Sequence, residues 1–584
     1  MTNEVLQRNL NRQLREIYGK EIADEWTGRY YDLIASFIQV NGRPVGSHQN
    51  RLDRHTALLI TYGDSLYSEN LAPLASLLKF LDTYVGDALS TVHILPFYPS
   101  SSDDGFSVVD PFAVDPRLGT WDDIALLGSR YQLMFDLVAN HLSRSNYWIQ
   151  ECFSGNPEYK DFAIFLTGEE NLRYVFRPRT LPLLTSVDTS EGKRLVWTTF
   201  SKDQIDVNYH NPKVLYSMLE VFLAYVGKGV SIVRLDAVAF LWKEFGTSCI
   251  HHPKTHAIIR LFSWILDILA PQSFLLTETN VPHRDNISYF GNGSDEATMV
   301  YNFPLPPLVY HTFLSQDATA LHSWAKTLRL PSVKVSFLNF LASHDGIGLM
   351  PVVGILDDKK IEAMAEHAIA QGGFVSRKNE ADGTTRPYEL NINYFSALSD
   401  LVENESETMA IDRFVAACAI MIFFKGIPGI YIHSLVGSQN WYGDPELKVH
   451  PRRINREQLN LEALQTELSD SSSIRAKVLS RQLQLLQLRK AEPAFSATAD
   501  QDIPECSNPS CFIIERRSHQ DSASLLVVVN VSSLDQVLCL EGIPSFLGPF
   551  ENLMGEDFGN LDNKEIVLRP YQVAIFKQLC LSPQ

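Results

Sequence analysis

From residue 55 onward the chain alternates short apolar runs with segments of helical periodicity. The runs open near Thr56 (TALLITY), Thr91 (TVHILPF), Gln132 (QLMFDLVANH), Ser231 (SIVRLD), Ser273 (SFLLTE), Met299 (MVYNF), Ser336 (SFLNFLASH) and Ile427 (IPGIYIH). Eight such runs interleaved with helices predict an α/β protein built on a (β/α)8 barrel. One of the intervening helices is well marked. Asn211 stands at its N-cap and Pro212 in its first turn, and Val214, Leu215, Met218, Val221, Phe222 and Tyr225 form its apolar face. Gly227 and Gly229 end it.

The flanks read differently. Residues 1–54 form an N-terminal helical extension, with Leu6, Leu10, Leu14, Ile17 and Tyr18 at helical spacing. The barrel is expected over residues 55–498, with a small insertion after strand 3 at about 142–209. A polar stretch, NEADGTTRPYELN, predicts a mobile loop at about 376–395. A helix at about 473–490 follows, and then CFIIERR, SLLVVVNVS and EIVLRPYQVAIF predict a C-terminal antiparallel β domain over 499–584.

Composition narrows the function. With 45% hydrophobic residues the 584-residue chain can bury a large core. The formal net charge of −18 argues against nucleic acid and against anionic lipid, since both need clustered Lys and Arg. No stretch approaches the roughly 20 apolar residues of a membrane span. The start, Met1-Thr2-Asn3-Glu4-Val5, lacks a secretory pattern, and the seven Cys are odd in number with no CxxC. These features predict reduced thiols in a cytoplasmic protein.

Candidate chemistry sits where barrel strands end, because that face of a (β/α)8 barrel holds the site. Strand 3 ends in Asp136-Leu-Val-Ala-Asn140-His141, strand 4 in Arg234-Leu-Asp236, strand 5 in Thr277-Glu278, and strand 7 in Ser343-His344-Asp345. Cleaving an acetal needs a carboxylate on one side of the anomeric carbon and a proton donor on the other. Arg234 and Asp236 stand two apart on a strand and so share a face. The guanidinium can then hold the carboxylate ionised, as a nucleophile requires.

DLVANH, RLDAV, LTETN and SHDGIG resemble, in order, the four signature regions of the α-amylase superfamily. HILPFYPSSSDDGF, RLVWTTFSKDQIDVNY, RPYELNINYFSAL and RRINRE extend the resemblance to its sucrose phosphorylase subgroup from about residue 55 onward. The resemblance implies that Asp236 is the nucleophile, Glu278 the general acid/base and Asp345 the third carboxylate, gripping sugar hydroxyls. It implies that Asp103, His141, Arg234, His344 and Arg456 bind the glucosyl unit, that Phe106 is an aromatic platform beside it, and that Gln204 and Asn280 bind substrate. Arg179, Tyr388 and Glu389 are implied on loops that bind the acceptor and phosphate. No cofactor or metal is implied.

The N-terminal extension, Asn280 and Glu389 depart from the fructose-handling members, and TETNVPHRDNISYFGNG and NFLASHDGIGL are similar to glucosylglycerate phosphorylases of the same subgroup. The implied reaction is retaining, reversible phosphorolysis of 2-O-α-glucosylglycerate to α-glucose 1-phosphate and glycerate, through a covalent glucosyl-enzyme. Sucrose or glucosylglycerol as donor, or plain hydrolysis of an α-glucoside, are the alternatives. The expected partners are a small glucoside and inorganic phosphate, with no nucleic acid and no membrane, in a monomer or homodimer.

Overall fold

The eight apolar runs become eight strands in the computed structural model, which describes residues 2–42, 52–178, 181–379, 384–519, 524–540, 543, 550–555 and 565–578. They are β1 Leu58–Thr61, β2 Thr91–Ile94, β3 Gln132–Val138 and β4 Ile232–Asp236, then β5 Phe274–Thr277, β6 Met299–Tyr301, β7 Ser336–Asn339 and β8 Ile427–Tyr431. They close in the order β1–β8–β7–β6–β5–β4–β3–β2, all in parallel pairing, so the expected barrel is the observed fold. Leu58, Met134, Ile232, Leu276, Met299, Leu338 and Ile427, one from each of seven strands, cluster in its interior. Ile232, Arg234 and Asp236 share a face of β4 by the two-residue period. The strand thus enters on an apolar residue and leaves on the two charged ones.

Closure has its own fastener. Arg489, buried in the helix Ile474–Ala491, donates to the carbonyls of Arg54 (2.6 Å), Thr56 (3.0 Å) and Gly426 (3.2 Å). It joins the backbone entering β1 to the backbone entering β8, the first and last strands of the ring.

Outside the ring, helix α1 (Asn3–Tyr18) buries Leu6, Leu10, Leu14 and Ile17, and helix α2 (Lys20–Asn41) runs back along it. They cover two barrel helices, α3 (Pro212–Gly227) and α4 (Pro253–Leu269). Tyr30 donates to the Pro212 carbonyl (2.8 Å), and Arg260 pairs with Glu16 and Glu296. The Asn211 side chain accepts from the Lys213 amide, the cap read from sequence.

Between β3 and β4 the chain forms a small layer of antiparallel strands, Leu184–Thr189 with Gly192–Trp197 and His141–Ser143 with Gln204–Asp206. The buried Lys243 ammonium lies 2.6 Å from both Asn140 Oδ1 and Asp206 Oδ2 and fastens this layer to the end of β3. The segment expected as a loop at 376–395 is different. In its described residues, Phe374–Asn379 and Thr385–Asn391 pair as a hairpin, with a bulge at Ser376/Arg377, and Ile347–Gly348 joins its edge. Charged and turn-forming residues masked the two short runs.

After the barrel, Asp500–Asp502, Cys511–Arg517, Ser524–Asn530, Val573–Gln578 and Phe550–Asn552 make an antiparallel sheet, as expected for the C-terminal region. Arg516 ties it down by donating to the carbonyls of Phe423 (2.8 Å) and Ser496 (2.7 Å). Among the described residues no helix is long and apolar enough to cross a membrane.

Candidate active site

The parallel register brings Arg234 of β4 opposite Asp136 of β3. Arg234 Nη1 contacts Asp136 Oδ1 and donates to Asp236 Oδ1 at 2.8 Å. His93 Nε2, on β2, lies 2.6 Å from the other Asp136 oxygen. Three neighbouring strands thereby build a connected row, His93–Asp136–Arg234–Asp236, that fixes the Asp236 carboxylate. The next residue, Ala237, adopts a left-handed conformation (φ 48°, ψ 31°) that costs a residue with a Cβ about 1 kcal/mol. This turn aims the Ala237 amide at Glu278 Oε2, 3.1 Å away.

The surroundings make the two carboxyls unequal, although the Ala237 amide itself opposes the rise of Glu278. Glu278 is pushed up to about 7, first by burial and then by the charges of Asp236 and Asp345. Burial also raises Asp236, but the Arg234 guanidinium touches it and opposes the rise. The proton therefore resides on Glu278, which has a single backbone donor, and the charge on Asp236, which has the guanidinium. One group is prepared to give a proton and the other to attack.

Asp345, past the end of β7, is the third carboxyl. Burial alone would raise it, yet contact with Arg452, and with His344 and Arg456 further off, holds it well below the usual carboxylate range. His344 is driven down to about 3 by burial, and burial lowers His141 too, so both rings are neutral near pH 7. His344 stacks on Phe106 (4.9 Å between centroids, 9° between planes). His141 Nε2 lies 3.1 Å from the Phe106 carbonyl oxygen and 3.1 Å from Gln204 Nε2. Gln204 in turn donates to Asp103 Oδ2 at 2.9 Å.

One cavity gathers most of the residues singled out in the sequence. Asp236, Glu278 and Asp345 line it with Asp103, Phe106, His141, Gln204, His344, Asn280 and Tyr388. Asn280 Oδ1 is buried with no hydrogen-bond partner among the described residues, an acceptor left for substrate. A Cβ at Gly348 would fall 2.8 Å from Asn280 Nδ2, so only glycine leaves that side chain its place. A wider cavity of about 1220 Å³ lies between the barrel and the C-terminal sheet. Of its carboxylates, Asp502 and Glu515 pair with Arg517 and Glu505 with Lys326, and size does not make it the reactive site.

Other candidates are placed elsewhere. Arg234 acts from beneath, through Asp236. Arg456 stands behind the cavity: it donates to the His344 carbonyl (2.9 Å), pairs with Asp104 and lies over Tyr62. Glu389 is held by Arg452, whose Nε and Nη2 donate to its two oxygens at 3.0 and 2.6 Å. Arg179 lies outside the described residues. Sequence reasoning passed over Arg452 and the apolar wall of Phe176, Phe200 and Phe240. Arg452 stood in the RRINRE motif, four residues before Arg456, and only the fold brings it beside Asp345. Among the described residues no cluster of three or more His, Cys, Asp or Glu is arranged to hold a metal ion.

Residues 76–371 match the alpha amylase catalytic domain model. A glucosylglycerate phosphorylase of Allomeiothermus silvanus is 44% identical over 97% of this chain and 98% of its own. One of Escherichia coli K12 is 41% identical over 98% of this chain and 100% of its own. The crystal structure of sucrose 6F-phosphate phosphorylase from Thermoanaerobacter thermosaccharolyticum superposes with a TM-score of 0.70 at 26% identity, over 82% of this chain and 94% of that one. With a closed parallel barrel, three carboxyls at its strand ends and full-length relatives of this kind, the chain belongs to the alpha-amylase family, in the group that holds the glucosylglycerate phosphorylases.

Proposed function

We propose that this enzyme is a retaining glucoside phosphorylase that interconverts 2-O-α-glucosylglycerate and phosphate with α-glucose 1-phosphate and glycerate. The observation that carries the reading is the inequality of Asp236 and Glu278, one charged and guanidinium-bound, the other held protonated by burial. The full-length relatives named as glucosylglycerate phosphorylases support the choice of substrates.

In the proposed first step Asp236 attacks the anomeric carbon while Glu278 gives its proton to the departing glycerate oxygen. The bond to glycerate breaks and a β-glucosyl ester of Asp236 forms. In the second step a phosphate oxygen attacks the same carbon, Asp236 leaves, and the proton carried by phosphate returns to Glu278. Two inversions give retention. Asp345 grips ring hydroxyls, Phe106 and His344 offer a flat face to the sugar, and Asp103, His141, Gln204 and Asn280 bind its polar edge. Arg234 and Arg456 hold these groups in place, while Arg179, Tyr388 and Glu389 serve the acceptor side. We read the chain as three parts, 1–54, 55–498 and 499–584, in a cytoplasmic monomer or homodimer.

The test is synthesis. Purified enzyme is given α-glucose 1-phosphate with glycerate, fructose, glycerol or water alone, and phosphate release is followed. Glycerate is expected to give the fastest release. Preference for fructose or glycerol would move the substrate within the subgroup, and equal release with water alone would make the enzyme a hydrolase.

A further inference from the structure

Four carboxyl groups, Asp103, Asp236, Glu278 and Asp345, line the catalytic cavity. On the proposed function, on which this inference rests, two acceptors that are both anions must enter it in turn. Among the described lining residues the sole arginine or lysine is Arg452. Both histidines there are neutral near pH 7. Arg452 and Asp103 also line an adjoining open chamber of about 440 Å³, so Arg452 stands where the cavity meets that chamber.

A guanidinium has five N–H donors. Arg452 commits Nε–H and one Nη2–H to Glu389, and one Nη1–H to Asp345. Three of five are used, which leaves one N–H on each terminal nitrogen. The fork with Glu389 fixes the plane of the group, and the contact with Asp345 fixes its height above the third carboxylate. The single positive charge is shared between Glu389 and Asp345, and one N–H on each terminal nitrogen remains for an oxyanion, a fork that a guanidinium supplies and an ammonium does not.

We propose that Arg452, clamped by Glu389 and Asp345, is an anion receptor of the acceptor site and binds both phosphate and the carboxylate of the acceptor. Glu389 is then a positioning residue: it spends its charge on Arg452 rather than on the acceptor, and it keeps the guanidinium turned toward the cavity.

The test must separate anion binding from support of Asp345, which matters to every substrate. Transfer from α-glucosyl fluoride to glycerate and to glycerol is measured in wild type, Arg452→Gln and Arg452→Lys, alongside KM for phosphate. In Arg452→Gln the ratio of kcat/KM for glycerate to that for glycerol is expected to fall about 30-fold or more, the size of a lost charge-paired contact. KM for phosphate is expected to rise with it. Arg452→Lys keeps the charge without the fork and is expected to show the same selective loss in smaller measure. This variant also serves if the glutamine variant does not fold. Equal losses for glycerate and glycerol, or a lysine variant with the wild-type ratio, would overturn the assignment and leave Arg452 as a support of Asp345 alone. A wild type that uses neither anion would overturn the phosphorylase reading itself, an outcome seen before any variant is made.

Discussion

Glu278 carries the sharpest residue-level consequence. It must be protonated to act as the acid, and a carboxyl raised to about 7 is protonated below that pH and loses its proton above it. In phosphorolysis of glucosylglycerate, kcat/KM is therefore expected to be level in mild acid and to fall about tenfold per pH unit well above pH 7. With α-glucosyl fluoride, whose leaving group needs no proton, that limb should vanish, as it should for both donors in Glu278→Gln. A pH profile with the same descending limb for both donors would show that the titrating group is not the acid. That Asp236, Glu278 and Asp345 stand at strand ends was legible because each follows an apolar run; the part proposed for each came from the family resemblance. The rise of Glu278 was not legible, since it comes from burial and from the nearness of Asp236 and Asp345, which only the fold sets. Arg452 was hidden for a related reason: it reaches Asp345 across 107 residues of sequence.

Elements, rather than residues, decide how firmly His141 is set in the cavity wall. His141 opens the short strand His141–Ser143, whose partner strand Gln204–Asp206 lies across the insertion. Lys243 bridges Asn140 and Asp206, and Asp206 also accepts from the amide and hydroxyl of Thr199 at 2.7 Å each. Lys243 and Asp206 are both buried, so removing one leaves the other without its counter-charge. Lys243→Met is expected to cost about 3–5 kcal/mol in urea unfolding, and Lys243→Met with Asp206→Asn should recover part of the loss. A cost below about 1 kcal/mol for the single change would mean that the layer relaxes and rehydrates the carboxylate. Apolar runs announced the barrel strands one by one, because each is buried on its inner and outer faces. The hairpin carrying Tyr388 and Glu389 was read as a loop, because its strands are half exposed and carry Arg377, Lys378 and Arg386 among their apolar residues.

The molecule as a whole is an anion asked to bind anions. Its net charge of −18 sets a repulsive field against phosphate and glycerate, opposed at the site by few cations. Raising potassium chloride from about 20 to about 200 mM screens that field, and kcat/KM for glycerate is expected to rise several-fold while that for neutral glycerol stays level. A fall with salt for glycerate alone would show that local cations, not the overall charge, govern approach. At the same scale stands the pair formed by Arg456 and Asp104, behind the cavity floor of Phe106 and His344. On its far side is a separate hollow of about 490 Å³, reached from Tyr62 and Trp441, that shares none of the reacting carboxyls. The pair makes the glucosyl pocket a blind alley. On the proposed function a terminal sugar enters head first and backs out by the way it came. Each turnover is thus a complete visit by one small molecule, which suits an enzyme trading single glucose units with freely diffusing partners.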